Sequence, residues 1–314
     1  MKIAVIGVGA VGGYFGGRLA QAGHDVFFLA RGKTVEALRS EGLRVKSVDG
    51  DFEIRGPQAA ADPNQVGPVD VVLVAVKATQ VGEVAPTLAP LLGPETCVIP
   101  LQNGLEAAGL LAASLGPEKV LGGLCKIFAL STGPAMIEHM GLKPTIEFGE
   151  LSKKKTERVE RIRAVLDSAA GMTAVTPDDI DVALWMKLLY VEPLGAVGAV
   201  AREPAGVLRT VPATRRMLQL AMEEVVAVAL KRGVAIDPGL PAKAILRVDE
   251  LPAGATTSMH RDLIAGRPSE FEFQVGTVVR YAGESRVPAP VHSAIYAALL
   301  PSDLRARGQL PSAS

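Results

Sequence analysis

The chain opens on an apolar run, Ile3-Ala4-Val5-Ile6, long enough for one buried strand and too short for a membrane span. Comparable runs follow at Asp25–Leu29, Val69–Val76 and Thr96–Leu101. Between them the apolar spacing turns helical, first from the glycines after Ile6 to Ala22-Gly23 and again from Val81 to Leu92, stopped by Gly93-Pro94. Val120–Ala129, Ala135–His139 and Thr145–Gly149 read as further strands, the last two as a candidate hairpin. Lys153–Ala169 reads as an amphipathic helix with a basic start.

Past about Val175 no strand candidate of comparable strength occurs. Pro177-Asp178-Asp179 supplies a helix start, and Asp179–Val200 reads as one long, mostly buried helix bent at Pro193. Helices follow at Ala213–Arg232, Pro241–Leu251, Thr256–Ala265 and Ser269–Ala282. The Pro- and Ser-containing tail after about residue 301 is expected to be disordered. The expected architecture is therefore α/β over residues 1–176, a Rossmann-type doubly wound parallel sheet, and all-helical over residues 177–314. Substrate clefts commonly lie at such a joint.

The junction of the first strand and helix carries the sharpest signal. Gly7-Val8-Gly9-Ala10-Val11-Gly12 has the glycine spacing of a dinucleotide-binding turn, with a strand before it and a helix after it. Gly7 permits the tight turn, Gly9 leaves room for a pyrophosphate, and Gly12 lets the helix close onto the strand. The free N–H groups of the helix start then face the phosphates. After the second strand, where an NAD-binding fold usually carries an acidic residue, stands Arg31. A guanidinium binds a 2′-phosphate that a carboxylate would repel, so Arg31 argues for NADP(H).

Composition narrows the partners. Lys+Arg and Asp+Glu both total 33, which gives no support to nucleic acid or an anionic membrane as a partner. Val182–Ala201 is apolar enough to raise a membrane question, but Lys187, Glu192 and Pro193 lie inside it. Two cysteines, Cys97 and Cys125, form neither a disulfide framework nor a metal spacing; no metal is expected. With no signal-peptide pattern at the start, they fit a reducing cytoplasm. The apolar helices suit either a core or a homodimer face.

Lys77 and Asn103 share with Arg31 a place at the carboxyl end of a predicted parallel strand, where such folds hold ligands. Each is ordinary alone: Asn103-Gly104 is a common turn dipeptide. Lys187 sits between Leu184-Trp185-Met186 and Leu188-Leu189-Tyr190. An ammonium in such company either snorkels or is held in a site. Ser258 and Glu270 follow on later helices, and either could be a plain capping or surface residue.

Taken together, these residues resemble the ketopantoate reductases (2-dehydropantoate 2-reductases) over nearly the whole chain. The matching features are GVGAVGG, Arg31, VKATQ with Lys77, QNG with Asn103, Trp185-Met186-Lys187-Leu188, Pro204 to Arg209, Glu223-Glu224-Val225, and Ser258-Met259 with Glu270 twelve residues beyond the serine. The resemblance implies NADPH as cofactor and a 2-oxo acid as substrate. It implies Lys187 as general acid and Glu270 beside cofactor and substrate. It also implies that Lys77 and Asn103 contact both, and that Ser258 binds substrate.

The chain departs from the family where asparagines are usual, at Val191, Gly195, Ala205 and Ala255. Losing amide donors weakens discrimination for a hydroxylated substrate. Ketopantoate is the expected substrate, with a more apolar 2-oxo acid as competitor. Other readings are a 3-hydroxyacid dehydrogenase-like enzyme and a non-catalytic NADPH-binding sensor.

Overall fold

A computed structural model of the chain describes residues 1–311. Two compact units make it up: one contains Met1–Gln102 and Glu106–Ile180, the other Asn103–Leu105 and the chain from Asp181 onward.

The first unit runs β1 (Lys2–Ile6), α1 (Ala10–Gln21), β2 (Asp25–Leu29), α2 (Lys33–Ser40), β3 (Leu43–Ser47), β4 (Phe52–Ile54), β5 (Gln58–Ala60) and β6 (Val69–Val74). It continues with α3 (Val81–Val84), β7 (Leu92–Pro100), α4 (Ala107–Leu115), β8 (Leu121–Lys126), β9 (Ala129–Gly133), β10 (Met136–His139), β11 (Thr145–Glu150), α5 (Glu157–Asp167) and β12 (Thr173–Val175). Five strands form one parallel sheet in the order β5-β2-β1-β6-β7. The chain winds outward from β1 on one side and crosses to β6 on the other. The carboxyl ends of β1 and β6 therefore flank the switch point, where open α/β sheets bind ligands. Ile3, Val5, Val71 and Leu73 are wholly buried, which is why these strands read as unbroken apolar runs.

Two expectations differ from the structure in this unit. Ala135–His139 and Thr145–Gly149 do not form a hairpin: β10 pairs with β9 and β3, whereas β11 pairs with β8 and β12 in another sheet. Val81–Leu92 is not one helix, because after α3 the chain tightens to a 3₁₀ form over Ala85–Leu91. Pro86 and Pro90 cannot donate the bonds an α-helix needs. The sequence reading also passed over β3, β4 and β5: β3 and β5 find partners well along the chain in β10 and β2, whereas β3 and β4 pair antiparallel with each other across a short loop.

The second unit is helical: α6 (Ile180–Ala201), α7 (Ala205–Thr210), α8 (Pro212–Lys231), α9 (Leu240–Glu250), α10 (Ser258–Ile264), α11 (Phe271–Ser285) and α12 (Pro290–Ala306). Its core gathers Leu188, Val197, Met222, Val225, Phe271 and Val278. α6 has the length and hydropathy of a membrane span, but most of it is buried inside the protein, as in a core helix. The expected disordered tail differs as well. α12 runs through Pro301 to Ala306, and Asp303 is wholly buried, so residues 302–306 are ordered helix. Residues 312–314 of the expected disordered tail lie outside the described residues.

Candidate active site

The first unit builds a cradle at the end of β1. Gly7 has φ +90°, and a Cβ there would lie 2.9 Å from the Val76 backbone nitrogen. A Cβ on Gly12 would overlap the Gly7 carbonyl oxygen. Only glycine lets α1 start this close to the strand. Gly9, by contrast, is exposed, with open space where a Cβ would stand. It caps a twelve-residue helix whose first turn carries no acidic side chain. An anion meeting the N–H groups of Ala10, Val11 and Gly12 would thus face a positive dipole end with no opposing carboxylate on that turn. The Val8 side chain is buried, which leaves its backbone for any ligand. The cradle fits a dinucleotide pyrophosphate.

Arg31 follows β2 and is largely exposed, 3.4 Å from Glu83 of α3 in a surface ion pair. Such a pair is weak and is readily exchanged for a doubly charged phosphate. Lys77 stands exposed just past β6. The segment that carries it is held by Gln102, which is buried and whose Nε2 donates to the carbonyls of Val74 and Val76, both at 2.8 Å. Gln102 went unassigned in the sequence reading. Its place between the end of β7 and Asn103 was the available signal. Glu83 was missed as well, since nothing local couples it to Arg31.

Within the second unit, Asn103 and Glu270 meet. Asn103 Nδ2 donates to Glu270 Oε2 at 2.9 Å, across 167 residues of sequence. Gly104 makes the approach possible: its φ is +94°, and a Cβ would overlap the Phe273 carbonyl oxygen. Glu270 stands at the N-cap of α11, and both partners are half-buried. Lys187 is half-buried on α6, beside the buried Trp185 and Leu188. Among the described residues its ammonium has no hydrogen bond or ion pair. Val191, one turn on, is half-buried too. Ser258 is exposed at the start of α10, where the neighbouring Thr257 caps the helix by accepting from the His260 N–H at 3.2 Å.

The positions where asparagines were expected are closed or apolar. A Cβ on Gly195 would overlap Thr257 Oγ1 and lie 3.0 Å from Met259 Cε, so no amide side chain fits there unless α10 moves. Ala205 is wholly buried, and its N–H donates to the Ala255 carbonyl at 3.0 Å.

Chemically, the second unit thus offers an ammonium with no ion-pair partner among the described residues and a carboxylate fixed by an amide, and the first offers a phosphate cradle. Comparisons with known proteins identify the family. Residues 3–153 match the family described as "Ketopantoate reductase PanE/ApbA", and residues 179–301 match its C-terminal counterpart. An uncharacterized oxidoreductase of Bacillus subtilis, YkpB, is 32% identical over 301 residues, covering 95% of this chain and 98% of the relative. A 2-dehydropantoate 2-reductase of Nostoc sp. is 32% identical over 315 residues, covering 98% of each. The crystal structure of a 2-dehydropantoate 2-reductase from Geobacter metallireducens superposes with a TM-score of 0.90 at 30% identity, covering 96% of this chain and 100% of that one.

Proposed function

The chain belongs to the ketopantoate reductase family, whose members are NADP-dependent oxidoreductases, and from that premise we propose that it reduces a 2-oxo acid to the 2-hydroxy acid with NADPH. The observation that carries this reading is Lys187: a half-buried ammonium among apolar neighbours, with no counter-ion among the described residues, its charge left for an anionic ligand.

In this reading the N–H groups of Val8 to Gly12 hold the cofactor pyrophosphate, and Arg31 leaves Glu83 to bind the 2′-phosphate. Bound there, NADPH supplies the hydride that reduces the keto carbon. Lys187 stabilises the oxygen anion that develops and delivers the proton to it. Asn103 fixes one oxygen of Glu270, so that the carboxylate orients the ligand rather than turning freely. Lys77 and Ser258, both exposed, contact the ligands, Ser258 on the substrate side.

Ketopantoate is the proposed substrate by family, with the product pantoate serving pantothenate synthesis. A second reading rests on specific residues: Val191, Gly195, Ala205 and Ala255 offer no side-chain donor to a substrate hydroxyl. They favour a 2-oxo acid with an apolar side chain. A cytoplasmic setting and a homodimer belong to the same proposal.

An absorbance assay at 340 nm with ketopantoate, 2-oxoisovalerate and phenylglyoxylate separates the readings. Turnover of ketopantoate alone supports the first, and preference for the other two supports the second. Tight NADPH binding with no turnover on any 2-oxo acid would overturn both in favour of a sensor.

A further inference from the structure

The turn that carries Glu270 is gripped from both sides by one helix, α12. On one side, Ser269 is wholly buried, and its hydroxyl donates to Oδ1 of the equally buried Asp303 at 2.6 Å. The same hydroxyl accepts from the Phe271 N–H at 3.2 Å, which ties the first turn of α11 to the contact. Asp303 is neutralised by Arg307, 2.7 Å away, and Arg307 also reaches the Ser269 carbonyl at 3.5 Å. On the other side, Tyr296 stacks on Phe271, with centroids 5.4 Å apart and planes 11° from parallel. Its hydroxyl donates to Glu272 Oε1 at 2.7 Å. Burial, helped by the Glu272 charge, pushes the Tyr296 phenol up to about 12, so it stays a donor throughout the neutral range.

Residues 269, 271 and 272 are thus each held by α12, and Glu270 stands between them. A buried aspartate is costly to keep unless its partners are complete. A helix that only covered apolar core would have no use for one. We propose that Asp303, through Ser269, and Tyr296, through Glu272, are positioning residues for the reaction: they fix the turn that aims Glu270 at Asn103 and at the ligand. This rests on the reading above that Glu270 faces the reacting partners. An error of about 1 Å in such a group can cost a hundredfold in rate, so partial loosening should cost about tenfold.

The test measures kcat and KM for NADPH-dependent 2-oxo acid reduction by the full chain. Ser269→Ala, Asp303→Asn and Tyr296→Phe are each made alone and together with Glu270→Gln. The expected result is a kcat about tenfold lower for each single variant and a change under twofold when Glu270 is already Gln, because groups acting through one residue are not additive. Equal losses in both backgrounds would reduce α12 to general scaffolding and overturn the proposal. So would a full effect of Glu270→Gln with none from the α12 variants. If Glu270→Gln itself left kcat and KM unchanged, the placement of Glu270 in the site would fall, and the proposal with it. Ser269→Ala and Tyr296→Phe are the mildest changes and keep the test decisive if Asp303→Asn does not fold.

Discussion

His292 should make the stability of the second unit fall as pH rises through the weakly alkaline range. The imidazole is wholly buried between two carboxylates. Its Nε2 lies 2.9 Å from Glu192 Oε2 of α6, and its Nδ1 lies 2.6 Å from Glu224 Oε2 of α8. Glu224 also accepts from the N–H groups of Val291 and His292, at 2.8 and 3.0 Å, and so caps the start of α12. Burial pulls the imidazolium toward losing its proton. The Glu192 charge and the hydrogen bonds to both carboxylates outweigh it and raise the group from 6.5 to about 9. A raised folded value means the contribution is complete below 6.5 and is lost as pH climbs through about 9. That interval is worth about 3 kcal/mol in order of magnitude, a slope of about 1.4 kcal/mol per pH unit. His260, which burial lowers, titrates below this window and leaves the slope alone. The assay is urea unfolding at pH 6.5, 7.5, 8.5 and 9.5, followed by fluorescence of Trp185, the chain's single tryptophan, which is buried in this unit. His292→Gln should cost about 3–5 kcal/mol at neutral pH, since it leaves buried Glu192 without a cation and Glu224 with backbone donors alone, and should abolish the slope. A wild-type stability that is flat or rising from pH 6.5 to 9 would refute the reasoning.

Three further outcomes bear on the site. Lys187→Ala should lower kcat by about 10²–10⁴-fold, the range for a general acid, with NADPH affinity by fluorescence titration nearly unchanged; an intact kcat removes Lys187 from the chemistry. Arg31→Asp should weaken NADPH far more than NADH, and equal losses in the two titrations would show that Arg31 does not read the 2′-phosphate. Val191→Asn, which adds an amide one helical turn from Lys187, should shift kcat/KM about tenfold toward a hydroxylated 2-oxo acid over an apolar one of the same size; an unchanged ratio would place Val191 away from the substrate.

What was legible in the chain was local. β1, the glycine turn and α1 follow one another within twenty residues, so strand, turn chemistry and helix reinforce each other, and the same holds for Arg31 after β2. Asn103 was singled out by its place at a strand end and Glu270 by the resemblance, but their contact was not foreseen, because no local pattern connects residues 167 apart. Two of the errors share that cause. Thr145–Gly149 looked like the partner of Ala135–His139 because it was the next strand along. β10 instead pairs in parallel with β3, some ninety residues earlier, and no short loop could make that connection. The tail after 301 looked loose because it carries Pro and Ser. Residues 302–306 are helix nonetheless, and Asp303 among them is buried against Ser269 and Arg307.

Glu192 shows what such a charge could have disclosed. In the sequence it served only as an argument against a spanning helix. Yet a carboxylate in so apolar a helix, once packed in a core, demands a buried cation or donors, because leaving it unpaired costs several kcal/mol. Its own helix offers Lys187, five residues back, which at 3.6 residues per turn projects from a different side. Of the four histidines, His292 alone follows a Pro-started helix onset, where the backbone N–H groups it shares with Val291 can satisfy a second carboxylate. Buried charges in apolar helices are therefore long-range contacts announced from one end only, and the pH slope predicted for His292 is the measurement that identifies the other end.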